Sequence, residues 1–521
     1  MTPLVEVAAV QEADRAAAAA GTPVALLMGR AGSVVARAGR GLLGGVAGRR
    51  VVAVAGKGHN GGDALEALAR LARAGAGAEA LVTAEPERLD GEGRRCVAAV
   101  RAAGGRVRVF ERELAGRVLA GADLVLDGLL GTGSAGAPRG VVAEAIEAVN
   151  ASPARVLSVD IPSGVDGATG AVHQGRAVRA DATVTFQAAK PGHVLAPGSG
   201  LVGRLEVADI GLPLGPGPWG ISEATELAGL VPVPQGEQHK RSRGVLLAVG
   251  GSSGMGGAPT LVGLGARRSG TGLLVLAVPA SLAERVGAAV PEALTVHLPE
   301  ADGGITPDAV HACERWLGEA TALAIGPGLG RSAATGEAVR ALLARFPRPA
   351  VVDADGLFAL GTGAPLAERG APTLVTPHAG EFVRLAPDAE GTRLHQAAER
   401  ARRWGVTVLL KGNYTVVAEP GGRLAVNPTG APVLASGGTG DVLTGLTGAL
   451  LAQGLEPFDA GRLGAWVHGR AGALAARALS PVSVSAGDVA EHLPPAFAEL
   501  LPRPPQRPGG RRGAPVGRVA R

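Results

Sequence analysis

The sequence predicts an α/β protein of two domains, each a largely parallel sheet covered by helices. Three observations carry that reading. Short, continuous apolar runs alternate with helix-like stretches along the chain, as expected for strands buried on both faces. Many of these runs end in glycine- or aspartate-bearing loops, the construction of nucleotide-binding α/β folds. A Pro/Gly-rich span at about 214–238, GPGPWG followed by VPVPQGEQ, separates two such series. The length of 521 residues suggests roughly two to four domains.

In the first series, RRVVAVAG (49–56) is a strand and DALEALARLARAG (63–75) a helix with Leu65, Leu68 and Leu71 on one face. Further strands are expected at ALVTA near 80, DLVLDG near 125, RVLSVD near 157 and ATVTF near 184, with RLEVADIGLP (204–213) closing the half. The second series opens with GVLLAVGG (244–251). It continues through LLVLAV (273–278), ALAIGPG (322–328), AVVDADG (350–356), TLVTPH (373–378) and VTVLLKG (406–412). The expected organisation is a first domain at 1–213, a linker at 214–235, a second domain at 236–500 and a disordered basic tail at 501–521.

Composition excludes several classes. The 83 glycines follow no triplet period, so the chain is not collagenous. The formal net charge is +5, and the tail contributes six arginines and no acid, so the body is near neutral and nucleic-acid binding is not expected. Cys96 and Cys313 read as free thiols. Early acids at Glu6, Glu12 and Asp14 argue against a signal peptide, and no apolar run spans a membrane. A cytoplasmic protein is expected. Only Lys57, Lys190, Lys240 and Lys411 are lysines in a chain otherwise supplied with arginine. Lysine is a compact charge whose pKa moves readily, so these positions mark sites where arginine would not serve.

The first candidate site joins a glycine loop to strand-end carboxylates. Gly56-Lys57-Gly58-His59-Asn60-Gly61-Gly62-Asp63 runs from a strand into a helix N-terminus, where backbone N–H groups favour anions. It lacks the Gly-Lys-[Ser/Thr] ending of a P-loop. Asp127 ends one strand and Asp160 another, with Ser163 close behind. Carboxyl ends of parallel strands converge on one crevice, where Lys190, just after TVTF, can join them.

The combination GxGxNGGD, DxLLGTG, VDIPSGVDxxTG and TFxxxKPG resembles the N-terminal domain of the NAD(P)H-hydrate repair enzymes, over roughly residues 1–213. The resemblance implies a Rossmann-like three-layer α/β/α sandwich with NAD(P)HX epimerase activity. It implies that His59, Asn60, Gly61, Gly62 and Asp63, with Gly131, Thr132, Gly133, Ser134, Ala135, Gly136 and Ala137, touch the dinucleotide hydrate. It further implies that Asn60, Asp127 and Ser163 hold K⁺, and that Asp160, with Lys190, does the acid–base work. Epimerising a carbinolamine-like C6 needs a proton donor and an acceptor beside that carbon. Two departures stand out. His59 replaces a frequent Asn, and Gly29-Arg30 replaces an acidic or amide pair, which bears on N-terminal helix contacts or dimer packing.

The second candidate site centres on Ala435-Ser436-Gly437-Gly438-Thr439-Gly440-Asp441, before a helix with Leu443, Leu446 and Leu450 on one face. Such a loop stabilises a transferring phosphoryl group, and its carboxylate can take a proton from a substrate hydroxyl. HKRSRG, VGGSSGMGGAP, GPGLG, DADGL, TPHAGEF, LLKGNYT and SGGTGDVLTG resemble the ribokinase-like domain of ADP/ATP-dependent NAD(P)HX dehydratases, over roughly 236–500. The resemblance implies contacts from Gly328, His378 and Asp441 to the hydrated nicotinamide, with Asp441 as base. It implies that Lys411, Gly412, Asn413, Tyr414 and Thr415, and the 431–440 loop with Ser436, Gly437, Gly438, Thr439 and Gly440, bind ADP or ATP with Mg²⁺. His378 and Glu381 alone are too few for a zinc site. A bifunctional metabolite-repair enzyme acting on NADHX and NADPHX is expected, as a homo-oligomer. A kinase of a small heterocyclic alcohol and an inactive N-terminal binding module are the competing readings.

Overall fold

The structure, a computed structural model, describes residues 1–215, 217–234, 236–237 and 239–502. The expected basic tail lies outside the described residues from 503 onward. By internal contacts the chain divides into two compact units. The first comprises Met1–Ser222, Thr362–Glu368 and Val375–Pro428, and the second Glu223–Gly361, Arg369–Leu374 and the chain from Thr429.

The first unit contains a seven-stranded sheet. Its spatial order is Arg106–Val109, Gly77–Val82, Arg50–Ala55, Leu124–Gly128, Arg155–Val159, Ala182–Phe186, Arg204–Ala208. Every neighbouring pair is parallel. Counted within the sheet the order is 3-2-1-4-5-6-7, a Rossmann-like arrangement with its reversal between Arg50–Ala55 and Leu124–Gly128. Alternation along Arg50–Ala55 explains the uninterrupted apolar run. Val51, Ala53 and Ala55 join the core under helices Val24–Leu43 and His59–Arg73, while Val52 and Val54 join the opposite core with Val118, Ile146 and Val149.

All six expected strands of this half are present. Arg106–Val109 adds a seventh that the apolar-run signal does not reveal, because RVRV alternates arginine with valine and lies at the sheet edge. The helix expected from 63 begins at His59, so Asn-Gly-Gly-Asp forms its first turns rather than a loop. Leu65, Leu68 and Leu71 are buried as expected.

The span expected as a linker carries strand Trp219–Ile221 and the short helix Ala224–Leu227. Trp219–Ile221 pairs antiparallel with Thr2–Pro3 and parallel with Leu424–Val426. The run continues antiparallel through Val416–Ala418 to Thr407–Leu410. This hydrogen-bonded ladder explains why residues near 219 and 407–426 belong to the first unit rather than dividing at 213.

The second unit holds five parallel strands in the order Ala350–Val352, Ala322–Ile325, Val245–Val249, Leu273–Pro279, Leu294–Leu298. Helices Gly257–Arg267 and Thr439–Ala452 press together through glycines. A Cβ on Gly265 would stand 2.3 Å from the Val442 carbonyl oxygen, and one on Gly445 2.0 Å from that of Val262. The second helix is buried on every side from Val442 to Ala452, not only along its leucine stripe.

Candidate functional site

The reversal point of the seven-stranded sheet is where two strand-end loops must pass closely. A Cβ on Gly56 would lie 2.0 Å from the Leu129 carbonyl oxygen, so only glycine permits the crossing. Above this point opens a cavity of about 1200 Å³. His59, Asn60, Asp63, Gly131, Thr132, Gly133, Ser134, Asp160 and Lys190, all singled out from the sequence, line it.

Lys190 and Asp160 form its chemical centre. Lys190 is 1% exposed, and its Nζ donates to Asp160 Oδ1 at 2.7 Å, Thr185 Oγ1 at 2.7 Å and the Phe186 carbonyl at 3.1 Å. All three ammonium protons are thereby satisfied. Thr185 Oγ1 donates to Asp160 Oδ1 at 2.8 Å, and Thr132 Oγ1 to Oδ2 at 3.1 Å. Burial alone would raise the Asp160 carboxyl. The Lys190 charge and hydrogen bond, aided by His193 and Thr185, outweigh burial and hold it at about 2. Asp160 is therefore an anion at neutral pH. Oδ1 is occupied twice and Oδ2 once, leaving Oδ2 as the oxygen able to accept a further proton.

The backbone at Asp160 is left-handed, with φ of 63°. Such a conformation at a non-glycine residue costs of order 1–3 kcal/mol. His193 helps hold it. Burial and then the Lys190 charge lower the imidazole pKa to about 4, so the ring is neutral. Its Nδ1 accepts the Lys190 backbone N–H at 2.9 Å, leaving Nε2–H to donate to the Asp160 carbonyl at 2.8 Å. Neither His193 nor Thr185 was singled out from the sequence. The available signal was Lys-Pro-Gly-His, with proline opening the short helix Pro191–Val194.

Asp127, Ser163 and Asn60 also converge. Asp127 accepts from Ser163 Oγ at 2.6 Å, Ser163 N at 2.9 Å and Ser158 Oγ at 2.8 Å. Burial raises its carboxyl pKa despite these bonds. Leu130 N donates to Ser163 Oγ at 2.9 Å, while Asn60 Nδ2 donates to the Leu130 carbonyl at 2.8 Å. Asn60 and Ser163 thus meet at Leu130, and Asp127 joins them through Ser163.

Other expected contacts lie elsewhere. Gly61 and Gly62 are buried and do not line the cavity. A Cβ at Gly61 would stand 2.0 Å from the Gly56 carbonyl oxygen, and one at Gly62 2.6 Å from Met28 Cε. Their glycine requirement comes from packing beneath the site. Ala135, Gly136 and Ala137 are also not in the cavity lining. Asp63 does reach it, its carboxyl pushed well up by burial and then by Asp160, Asp14 and Glu66. Of the Gly29-Arg30 departure, Arg30 Nη1 donates to the Ile210 carbonyl at 2.9 Å, an intrachain tie to a cavity-lining residue.

The second set of expected residues falls into two groups. In the first unit, His378 Nδ1 accepts N–H bonds from Gly380 at 3.0 Å and Glu381 at 3.3 Å, capping helix Ala379–Leu385. Glu381 Oε2 accepts the His378 N–H at 2.8 Å and lies 3.9 Å from Lys411 Nζ. The Nδ1 edge of the imidazole is thus taken up by the cap, while Nε2 lies 3.6 Å from Glu381 Oε1 in an exposed side chain. Arg393 shapes the Lys411–Thr415 loop by donating to the carbonyls of Leu410, Lys411 and Asn413 at 3.1, 2.9 and 3.2 Å. Tyr414 turns that loop with φ of 54°.

In the second unit, Asp355 accepts Gly330 N at 3.0 Å and Arg331 Nε at 2.9 Å, tying the Gly328 loop to the Asp353-Ala354-Asp355 turn. Buried Asp353 accepts Thr444 Oγ1 at 2.7 Å. Gly438, with φ of 89°, caps helix Thr439–Ala452, and Asp441 lies in its first turn. Ser436 and Gly437 are exposed, leaving the loop's backbone accessible to an anion. His468, which sequence reasoning missed, meets the Thr439 carbonyl at 2.9 Å through Nε2 and steadies that turn.

Comparison with known proteins places both halves of the chain in one lineage. Residues 24–192 match the family described as YjeF-related protein N-terminus, and residues 246–495 match NAD(P)H-hydrate dehydratase. The bifunctional NAD(P)H-hydrate repair enzyme Nnr of Moorella thermoacetica is 40% identical over 495 residues, covering 91% of this chain and 92% of its own. That of Mycobacterium leprae is 40% identical over 502 residues, covering 95% and 99%. Among solved structures, the ADP/ATP-dependent NAD(P)H-hydrate dehydratase of Bacillus subtilis co-crystallized with ATP/Mg²⁺ is 31% identical. It covers 54% of this chain and 98% of its own, with a TM-score of 0.47. With identity of this extent running through both halves, the chain belongs to the family of bifunctional NAD(P)H-hydrate repair enzymes.

Proposed function

We propose that the cavity at the sheet reversal is the epimerase centre, with Asp160 as base and Lys190 as the cation that keeps it ionised. The enzyme itself is bifunctional: an NAD(P)HX epimerase joined to an ADP/ATP-dependent dehydratase. The observation carrying the site assignment is the buried Lys190–Asp160 pair at the carboxyl ends of the strands. Asp160 Oδ2 accepts the C6 hydroxyl proton of the hydrate, while Lys190 and Thr185 fix Oδ1.

The donors at Asn60, Asp127 and Ser163 are oxygens of an amide, one carboxylate and a hydroxyl, the set a hard cation of low charge takes. These residues would hold K⁺, which would supply local positive charge beside Asp127 and order the loop around Leu130. In the dehydratase half, Asp441 accepts the C6 hydroxyl proton of the S hydrate as that oxygen attacks the terminal phosphoryl group of ADP or ATP. AMP or ADP leaves. Phosphate then departs from C6 and a proton from C5, restoring the double bond of NAD(P)H. The 431–440 loop, with its exposed backbone at Ser436 and Gly437, would bind the nucleotide phosphates, and Mg²⁺ would enter on them. Cytoplasmic residence is proposed from the two free thiols, and a homo-oligomer from family resemblance.

Purified enzyme is mixed with an R/S pool of NADPHX, Mg²⁺ and ADP or ATP, and near-UV absorbance is followed. Complete recovery of NADPH at an enzyme-set rate is expected for wild type. Asp160→Asn is expected to stall at the S fraction, and Asp441→Asn to give no recovery while epimerising normally. Normal recovery with either variant overturns the corresponding role.

A further inference from the structure

Of the three aspartates that line the epimerase cavity, Asp14 and Asp63 have no part in the chemistry described above. Asp14 is the one on a separate wall from the glycine loop. Helix Val7–Ala19 buries Val10, Ala13 and Ala17. Its neighbouring stripe, Gln11, Asp14, Arg15 and Ala18, has the i, i+3, i+4, i+7 spacing of one helical face and lines the cavity. Among the described residues, Asp14 makes no side-chain hydrogen bond or ion pair that would explain it as a cap or tether. It is a carboxyl presented by a rigid element to the same space as Asp160 and Lys190.

We propose that Asp14 is the second proton-transferring residue of the epimerase, working as acid opposite the Asp160 base. This rests on the cavity being the epimerase centre. Asp160 Oδ2 removes the C6 hydroxyl proton and the C6–O bond becomes a carbonyl. The C6–N1 bond breaks with its pair passing to N1, which takes the proton of Asp14. The aldehyde arm rotates about the C5–C6 bond. N1 then returns its proton to Asp14 and attacks the other face of C6, whose oxygen recovers the proton from Asp160. Both carboxyls end as they began, and no further reactant is consumed.

The electrostatics divide the two roles. Burial raises the Asp14 carboxyl, Lys190 and His59 pull it down, and Asp160 pushes it up, with a net upward shift. Asp63 is raised in turn by Asp14 across the cavity. Arg15, one residue on, lines the same wall. Two carboxyls in one cavity shifted in opposite directions, Asp14 up and Asp160 down, are the arrangement that separates an acid from a base.

The test follows R/S interconversion of NADPHX by chiral chromatography in the full-length enzyme, with ADP-dependent consumption of S-NADPHX as internal control. Asp14→Asn is expected to lower the epimerase kcat roughly 100-fold or more, with KM within about threefold and S-NADPHX consumption unchanged. The pH profile should lose its basic limb, and Asp14→Glu should restore part of the rate. Asp160→Asn and Asp63→Asn are run alongside. Loss with Asp160→Asn but wild-type rate with Asp14→Asn overturns the proposal while leaving the site assignment intact. So does a change confined to KM, or a loss confined to Asp63→Asn. Wild-type rates in all three variants overturn the site assignment itself.

Discussion

Lys190 holds Asp160 at two points. Its Nζ lies 2.7 Å from Oδ1, and its backbone N–H fixes His193, whose other ring nitrogen reaches the Asp160 carbonyl at 2.8 Å. One residue thus sets both the ionisation of the carboxylate and the left-handed backbone that aims it.

Lys190→Met should therefore do more than slow the reaction. Removing one partner of a buried pair strands the other charge, at a cost of about 3–5 kcal/mol. The first unfolding transition by calorimetry should move down sharply, and epimerisation should fall roughly 100-fold or more. Unchanged stability would mean that Asp160 is reached by water without the lysine.

His193 gives the fold a pH dependence. Its folded pKa of about 4 lies below the ordinary 6.5. The unfolded chain therefore binds more protons in that window, and the contribution, up to roughly 3 kcal/mol, is full above 6.5 and lost as pH falls towards 4. Asp160, held at about 2 from 3.8, adds a second loss below 4. Urea titrations between pH 7 and 4 should show the first loss, and His193→Gln should flatten it.

Glycines of the 56–62 segment should divide sharply on substitution. A Cβ added at Gly58 would have nothing within 4 Å, whereas one at Gly61 would meet the Gly56 carbonyl oxygen at 2.0 Å. Gly58→Ala should stay within about 0.5 kcal/mol of wild type. Gly61→Ala should cost roughly 1–3 kcal/mol or more and disturb epimerisation. Equal tolerance by thermal melting would remove the packing explanation.

Replacing K⁺ by tetramethylammonium should reduce epimerisation and leave ADP-dependent consumption of S-NADPHX unchanged. Ser163→Ala removes the hydroxyl that bonds Asp127 at 2.6 Å and receives Leu130 N. It should weaken the K⁺ dependence, read as the cation concentration giving half-maximal rate. A variant with the same K⁺ response would take Ser163 out of the ligand set.

Much of this was legible from the sequence because the signals are local. Strands buried on both faces leave unbroken Val, Leu and Ala runs, and each expected run became a strand. Loops at their ends carry Asp127, Asp160 and Lys190 in recognisable settings. Two of the four lysines, Lys190 and Lys411, proved to be paired with carboxylates. Edge strands such as Arg106–Val109, and Trp219–Ile221 within a Pro/Gly-rich span, lack that signature. Their strand state depends on a partner far along the chain.

The sequence by itself determined the alternation of strand and helix, the glycine-rich turns and the family to which both halves belong, because periodicity and motif spacing are properties of neighbouring residues. Only the tertiary structure decided that Asp14 shares a cavity with Asp160, that His193 holds the Asp160 carbonyl, and that Gly61 and Gly62 serve packing. Those relations join residues distant in sequence, and burial, charge and hydrogen bonding act between them only once the chain has folded.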